Sequence, residues 1–109
     1  MQRAEVWWAD RPRGQRHPVL LLSWDAHRRS RQKVTIADIT TNVRGVDAEV
    51  PLGPADGMPR ACVVNLDSLG TVQRACLIEH LTTLRPDRMA EINRALHLAL
   101  GLPLPCRQE

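Results

Sequence analysis

A basic pair, Arg16 and His17, directly precedes Pro18 and the aliphatic run Val19–Leu22. Four apolar residues without alternation predict a strand that is covered on both faces. Pro18 suits the first position of this strand, because its missing N–H removes no central ladder bond there. The pair would then lie at the mouth of a buried strand, firmly held yet within reach of solvent. A guanidinium is permanently charged and an imidazole exchanges protons near neutral pH, so this position suits chemistry on an anion.

The charge distribution along the 109 residues favours a polyanionic partner. The net charge is +3, but residues 1–45 hold nine Arg and Lys against four Asp and Glu, a balance of +5. Residues 46–109 hold six against eight, a balance of −2. A basic half of this kind is typical of proteins that bind nucleic acids or other polyanions. The alternative interpretation is that arginine is simply abundant, as it is in many soluble proteins.

Cysteine use and hydropathy argue against several classes of protein. The three cysteines lack a CxxC spacing, which argues against a disulfide framework. The N-terminal residues carry charges throughout and lack the apolar core of a signal peptide. No apolar run approaches the length of a membrane span. We therefore expect a single cytoplasmic domain over residues 1–109, with only the last few residues loose.

Six short strands and one helix are predicted around the basic pair. The strand candidates are apolar or β-branched stretches bounded by turn residues. They cover Ala4–Ala9, Pro18–Ser23, Val34–Thr41, Ala48–Leu52, Ala61–Leu66 and Ile78–Leu84, with a corner predicted at Asp67–Arg74. Arg16 and His17 are then expected in the loop before the second strand, where strand alternation does not apply.

The C-terminal part of the chain changes to helical spacing. One apolar face is formed by Met89, Ile92, Leu96 and Ala99. Pro86 suits the first helical position and Gly101 the residue after the helix. Together these elements predict a mainly β domain, a strongly bent sheet or small barrel, with a C-terminal α-helix packed against it.

The order and spacing of these elements resemble the MazF/PemK family of toxins from type II toxin–antitoxin systems. No single motif is specific, but together they cover nearly the whole chain. The matching stretches are Ala4–Trp8, His17–Ser23, Val34–Thr41, Glu49–Leu52, Val63–Asp67 and Arg88–Leu102. The resemblance implies an SH3-like barrel, of the kind shared by CcdB and PemK, that forms a homodimer. It also implies a metal-independent endoribonuclease that cuts single-stranded RNA to a 2′,3′-cyclic phosphate and a 5′-hydroxyl. The implied partners are the RNA substrate and a cognate antitoxin, with no cofactor.

Carried over from the family, the catalytic threonine falls on Thr40, and the catalytic arginine falls on the residue before Pro18, which here is His17. Three interpretations of this departure remain open. His17 could act as acid or base while Arg16 supplies a fixed charge. Arg16 could instead take the arginine's role and leave His17 incidental. The site could also be weakened or inactive.

The resemblance makes the basic stretch 24–33 a predicted RNA-binding loop. Its arginines can pair with phosphates, and Trp24 can stack on an unpaired base, which is worth about 1–3 kcal/mol. Alternatively, Trp24 anchors a solvated loop to the core. The predicted RNA-binding residues are Ser23, Trp24, Arg28, Arg29, Arg31, Thr41 and Asn42. Asp67 is predicted either to support the site through hydrogen bonds or to cap a turn.

Two other functions are compatible with the same barrel. A toxin similar to the CcdB family would bind gyrase, with the terminal helix as the contact. A catalytically weakened or inactive homologue would bind RNA and leave it intact, and the histidine at position 17 keeps this alternative open. No set of residues with metal-ligand spacing is evident: Cys76 and His80 lie four residues apart, but no third ligand is near.

Overall fold

A computed structural model describes residues 2–10, 14–23 and 32–103. In this part of the chain, six strands precede one helix, which confirms the predicted mainly β domain with a C-terminal α-helix. The elements are β1 (Glu5–Asp10), β2 (Arg16–Leu21), β3 (Lys33–Thr40), β4 (Glu49–Leu52), β5 (Cys62–Gln73), β6 (Leu77–Thr83) and α1 (Pro86–Leu100). None of the described helices is both long and apolar enough to cross a membrane.

The six strands form one antiparallel sheet in the order β4-β5-β3-β2-β1-β6. The sheet curves into a half-barrel, and α1 packs against β4 and β5. Pro51 lies in the edge strand β4, where a residue without an N–H is tolerated because one side of the strand has no partner in the sheet. The sheet therefore provides the curved scaffold that the sequence predicts.

Two apolar clusters stabilise the two sides of the sheet. The larger cluster joins the sheet to the buried face of α1, and Leu20, Val64, Leu66 and Ile92 are fully buried in it. The smaller cluster centres on Val19, Leu21 and Ile36, and Trp7 packs against it. Strand β2 contributes to both clusters, as expected for a strand covered on both faces.

The start of β2 differs from the sequence-based prediction. The strand begins at Arg16 rather than Pro18, so Arg16 and His17 lie in the strand and not in a preceding loop. β2 pairs with β1 along the whole stretch from Arg16 to Leu20, but with β3 only from Val19 onward. Pro18 therefore lies just beyond the end of the β2–β3 ladder, where its missing N–H costs no bond. Pro18 therefore marks where the pairing of β2 with β3 stops, and not where β2 itself begins.

The corner predicted at Asp67–Arg74 is wrong, because β5 continues from Cys62 to Gln73. The pairing of β3 with β5 instead contains a large bulge. Ala37 pairs with Leu69 but Asp38 pairs with Asn65, so residues 66–68 of β5 have no counterparts in β3. Leu66 is fully buried and anchors this bulge in the core. A bulge bends a strand and redirects its side chains without ending it.

A short 3-10 turn, Pro54–Asp56, connects β4 to the segment that precedes β5. Asp56 accepts a bond from the N–H of Gly53 at 2.9 Å and another from Nε of Arg88 in α1 at 3.1 Å. Gly57 ends the turn with φ 89°, and a Cβ there would collide with the side chain of Thr82. These contacts fix the direction in which residues 58–60 leave the turn.

The predicted limits of α1 are confirmed. The helix has Pro86 at its first position and ends before Gly101, whose φ of 69° is left-handed. Residues Met89, Ile92 and Ala95 are buried against the sheet. The helix thereby covers one side of the half-barrel and leaves the mouth near the start of β2 open.

Candidate active site

A pocket of about 520 Å³ opens at the end of the sheet where β2 begins and β3 ends. It is built from four separate stretches of the chain, which meet only in the folded sheet. Its lining residues are Trp8, Arg16, His17, Pro18, Asp38, Ile39, Thr40, Thr41, Met58, Pro59, Arg60 and Cys62. The three predicted catalytic residues, Arg16, His17 and Thr40, all line this one pocket.

The register between β2 and β3 explains how His17 and Thr40 meet. Val19 pairs with Asp38, and Leu21 pairs with Ile36. Continued by two residues past the end of the ladder, this register sets His17 opposite Thr40. One proton-exchanging side chain and one hydroxyl therefore share a wall of the pocket.

Thr40 lies at the last position of β3, and its side chain is held by the chain that follows. Oγ1 of Thr40 accepts a hydrogen bond from the N–H of Asn42 at 3.0 Å. A hydroxyl has one hydrogen to donate and two lone pairs to accept. Because the Asn42 amide uses a lone pair, the hydroxyl hydrogen of Thr40 can be donated to an anion in the pocket.

His17 faces a carboxylate that the sequence did not single out. Nε2 of His17 lies 3.4 Å from Oδ1 of Asp38, and both side chains are about two-thirds buried, with 32% and 28% exposed. Oδ2 of Asp38 accepts a bond from the hydroxyl of Ser68 at 2.6 Å. Ser68 reaches Asp38 because the bulge in β5 ends beside it. His17, Asp38 and Ser68 therefore form a continuous chain of polar contacts.

Two arginines bring positive charge to the mouth of the pocket. Arg16 and Arg60 are both exposed, and they approach from different stretches, the start of β2 and the segment before β5. Fixed guanidinium groups on two sides of a pocket stabilise an anion bound between them. Arg60 was not among the residues predicted from the sequence.

The remaining wall of the pocket is apolar and includes Trp8, Pro18, Met58 and Cys62. Burial, and secondarily the charge of Asp56, raise the pKa of the Cys62 thiol. The thiol therefore stays protonated near neutral pH and packs as an apolar side chain. Such a wall is suited to the flat face of a nucleobase, and Trp8 can stack on it.

The comparisons with known proteins decide the family. The sequence model described as "PemK-like, MazF-like toxin of type II toxin-antitoxin system" matches residues 2–100. The chain belongs to this family.

Relatives of this MazF-like toxin include a protein named "Probable endoribonuclease MazF5" from Mycobacterium tuberculosis. It is 40% identical over 99 residues, which cover 90% of this chain and 91% of the relative. A solved endoribonuclease in complex with its cognate antitoxin, from mycobacterial species, has a TM-score of 0.84 at 32% identity, covering 96% of this chain and 99% of that one. The M. tuberculosis toxin MazF-mt6 has a TM-score of 0.83 at 28% identity, covering 92% and 99%.

The structure places the other predicted site residues in different surroundings. Thr41 lines the pocket, and Asn42 is exposed beside it and holds Thr40. Ser23 is only 6% exposed, and its hydroxyl accepts a hydrogen bond from the N–H of Thr35 at 2.6 Å. It therefore links the end of β2 to β3 and does not line the pocket. Asp67 is exposed on the bulge and does not line the pocket, and it is the neighbouring Ser68 that contacts Asp38. Trp24, Arg28, Arg29 and Arg31 lie outside the described residues.

Sequence reasoning missed Asp38, Arg60, Ser68 and Trp8. A signal for Asp38 was present, because a carboxylate stands at an inward position of the β-branched strand Val34–Thr41. A charge on a buried strand face is rare unless it is paired, which marks it as a candidate site residue. Across residues 2–10, 14–23 and 32–103, no group of three or more His, Cys, Asp or Glu is arranged to hold a metal ion.

Proposed function

We propose that this MazF-like toxin is a metal-independent endoribonuclease that cuts single-stranded RNA by attack of the RNA's own 2′-hydroxyl. The carrying observation is the one pocket that Thr40 and His17 line together, with Arg16 and Arg60 also in its lining. The products are a 2′,3′-cyclic phosphate and a 5′-hydroxyl. The family match and the endoribonuclease names of the relatives support this assignment.

The reaction needs a base, an acid and positive charge, and it needs no enzyme nucleophile. A base takes the 2′-OH proton, and the 2′ oxygen forms a bond to phosphorus. The P–O5′ bond breaks, and the 5′ oxygen leaves with the electron pair and takes up a proton. Negative charge grows on the phosphoryl oxygens during this exchange, so donors aimed at them stabilise the transition state.

The pocket residues fit these three needs. The hydroxyl of Thr40 donates to a phosphoryl oxygen, and Arg16 supplies fixed charge from the mouth of the same pocket. His17 is the proton-exchanging group. It stands where the family usually has an arginine, and an arginine cannot serve as a base near neutral pH. Of the three interpretations that the sequence left open, the contact between His17 and Asp38 favours His17 as acid or base, because a paired imidazole is oriented for proton transfer.

We further infer that the toxin acts in the cytoplasm as a homodimer of a single domain over residues 1–109. The partner that controls it is a cognate antitoxin that covers the RNA-binding face. A solved relative is an endoribonuclease in complex with its cognate antitoxin, which supports this partner. Size-exclusion chromatography with light scattering tests the dimer, and co-expression with the product of a neighbouring antitoxin gene tests the complex.

The central test is cleavage of a long single-stranded RNA with EDTA present. We expect the wild type to cut at few sites, Thr40→Ala to lose at least about 10²-fold in rate, and Thr40→Ser to keep most of it. Equal cleavage by wild type and Thr40→Ala would overturn the catalytic assignment. RNA binding without cleavage by the wild type would indicate an inactive homologue, and inhibition of DNA supercoiling by gyrase would indicate a gyrase-binding toxin.

A further inference from the structure

The chain of polar contacts behind His17 gives this site a component that the proposed reaction alone does not require. We propose that Asp38, itself held by Ser68, is a positioning residue that fixes the tautomer and orientation of His17. This inference rests on the proposed function, because it assigns a role in RNA cleavage. It adds a carboxylate and a hydroxyl to a site otherwise defined by Thr40 and a basic residue.

The geometry supports this order of contacts. Oδ2 of Asp38 is occupied by the Ser68 hydroxyl at 2.6 Å, a short distance typical of a hydrogen bond to a carboxylate. Oδ1 of the same carboxylate faces Nε2 of His17 at 3.4 Å. This separation is longer than an ideal N–H···O bond, as is common for catalytic contacts before substrate binds. Positive charge on the imidazole would draw the two groups together.

The backbone explains why these three side chains meet. His17 and Asp38 lie on the same face of neighbouring strands, since Asp38 pairs with Val19 two residues further along β2. Ser68 joins them only because the bulge of residues 66–68 inserts extra chain into β5 beside Asp38. Without these residues β5 would pair continuously with β3, and Ser68 would not end beside this carboxylate.

The chemistry follows from which ring nitrogen faces Asp38. A neutral imidazole carries its hydrogen on one nitrogen and a lone pair on the other. The Nε2–H tautomer donates to Oδ1 of Asp38 and leaves the lone pair on Nδ1. Nδ1 then takes the proton of the 2′-OH as the O2′–P bond forms. The P–O5′ bond breaks, and the 5′ oxygen leaves with its electron pair and is protonated by solvent water. The carboxylate stabilises the imidazolium that results.

Other charged groups also surround His17. Arg16 is adjacent on β2, and Arg60 lines the pocket from the segment before β5. Asp10 of β1 lies across the ladder from Arg16. Among these charged groups, Asp38 is the carboxylate that contacts the imidazole ring itself.

The test combines steady-state kinetics with NMR of the imidazole nitrogens in Asp38→Asn. We expect kcat to fall by about 10- to 1,000-fold with little change in KM, because RNA binding is retained while the ring is wrongly oriented. We also expect the ¹⁵N shifts of His17, assigned by comparison with His17→Gln, to show less of the Nε2–H tautomer. Ser68→Ala, which keeps the carboxylate, should change both readouts in the same direction by less. Asp47→Asn removes an exposed carboxylate outside the pocket and is the matched control.

The outcomes separate this inference from the proposed function. Failure of the wild type to cleave any RNA would overturn the proposed function and the positioning role with it. Cleavage by the wild type together with an unchanged kcat and tautomer in Asp38→Asn would overturn the role of Asp38 alone. If Asp38→Asn fails to fold, an unchanged kcat and an unchanged tautomer of His17 in Ser68→Ala would overturn the positioning role of Asp38.

Discussion

Arg88 of the terminal helix donates from Nε to Oδ1 of Asp56 at 3.1 Å, and this bond ties α1 to the turn that leads toward the pocket lined by His17 and Thr40. The Asp56 side chain is only 5% exposed. Burial alone would raise the pKa of Asp56, but the N–H of Gly53 and the guanidinium of Arg88 outweigh it, and the net pKa is lowered. The carboxylate of Asp56 is therefore stabilised in its charged form by the fold.

This relationship predicts an acid-sensitive contribution to stability. A lowered pKa stabilises the folded state above the ordinary range of aspartate, and this contribution is lost as the pH falls through the folded-state pKa. We expect Asp56→Asn to lower the free energy of unfolding at pH 7 by about 1–3 kcal/mol, and by less at pH 3, where the pH lies below the ordinary range of aspartate. Urea denaturation at both pH values measures the difference.

The control for this prediction is Asp87→Asn. Asp87 pairs with Arg85 at 3.4 Å, but both side chains are more than half exposed. The loss should therefore stay below about 1 kcal/mol. If Asp56→Asn lowered the free energy of unfolding equally at pH 7 and pH 3, Asp56 would stabilise the fold through packing and not through its charge.

Replacing His17 by arginine should remove the proton-exchanging group and keep a positive charge. We expect His17→Arg to retain some RNA cleavage, since Thr40 and the cations remain, but to flatten the pH–rate profile near neutrality. His80→Gln is the matched control, because His80 lies outside the pocket against Trp7. An unchanged pH–rate profile in His17→Arg would remove His17 from the mechanism.

Arg16 and Arg60 should contribute to RNA affinity through phosphate contacts. We expect Arg16→Gln and Arg60→Gln each to weaken binding, and each to reduce the slope of log K against log salt by about 0.7, the value for one phosphate of a single strand. Arg94→Gln, an exposed charge on α1 outside the pocket, should leave the slope unchanged. Fluorescence anisotropy with a labelled RNA at several salt concentrations distinguishes these cases, and an unchanged slope in Arg60→Gln would place Arg60 outside the RNA path.

Ser23 provides a test of structural support against RNA contact. Its buried hydroxyl accepts the N–H of Thr35. We expect Ser23→Ala to lower the free energy of unfolding by about 1–3 kcal/mol, because a buried amide loses its partner. Thr83→Ala, which removes an exposed hydroxyl, is the control. A variant of unchanged stability but weakened RNA binding would instead support the RNA-contact role that the sequence predicted for Ser23.

The fold was largely predictable, because hydrophobic periodicity reports directly on which side of a strand or helix is buried. The end signals of α1, Pro86 and Gly101, have local physical causes and were placed correctly. The start of β2 was not placed correctly, since a proline such as Pro18 can mark either the first residue of a strand or the limit of its pairing with one neighbour. Only the pairing of β2 with two different neighbours distinguishes these cases.

The site was predictable only in part, because its geometry depends on register. Thr40 came from the family resemblance, whereas His17 was singled out as part of the basic pair before Pro18, and no local pattern brings the two residues to one pocket. The contact between Asp38 and Ser68 depends on the bulge in β5, where Leu66 is buried in the core, Asp67 is exposed and the half-buried Ser68 reaches Asp38. Nothing in the local sequence distinguishes that bulge from the corner predicted there.

The pocket draws on residues from Trp8 in the first strand to Cys62 in the fifth, so it does not exist until distant parts of the chain have met. On a ribosome that synthesises this chain, the pocket therefore forms only after β5 has emerged and docked beside β3. With the proposed function, the RNA around the ribosome, including the message that encodes this chain, meets an assembled site only after that docking.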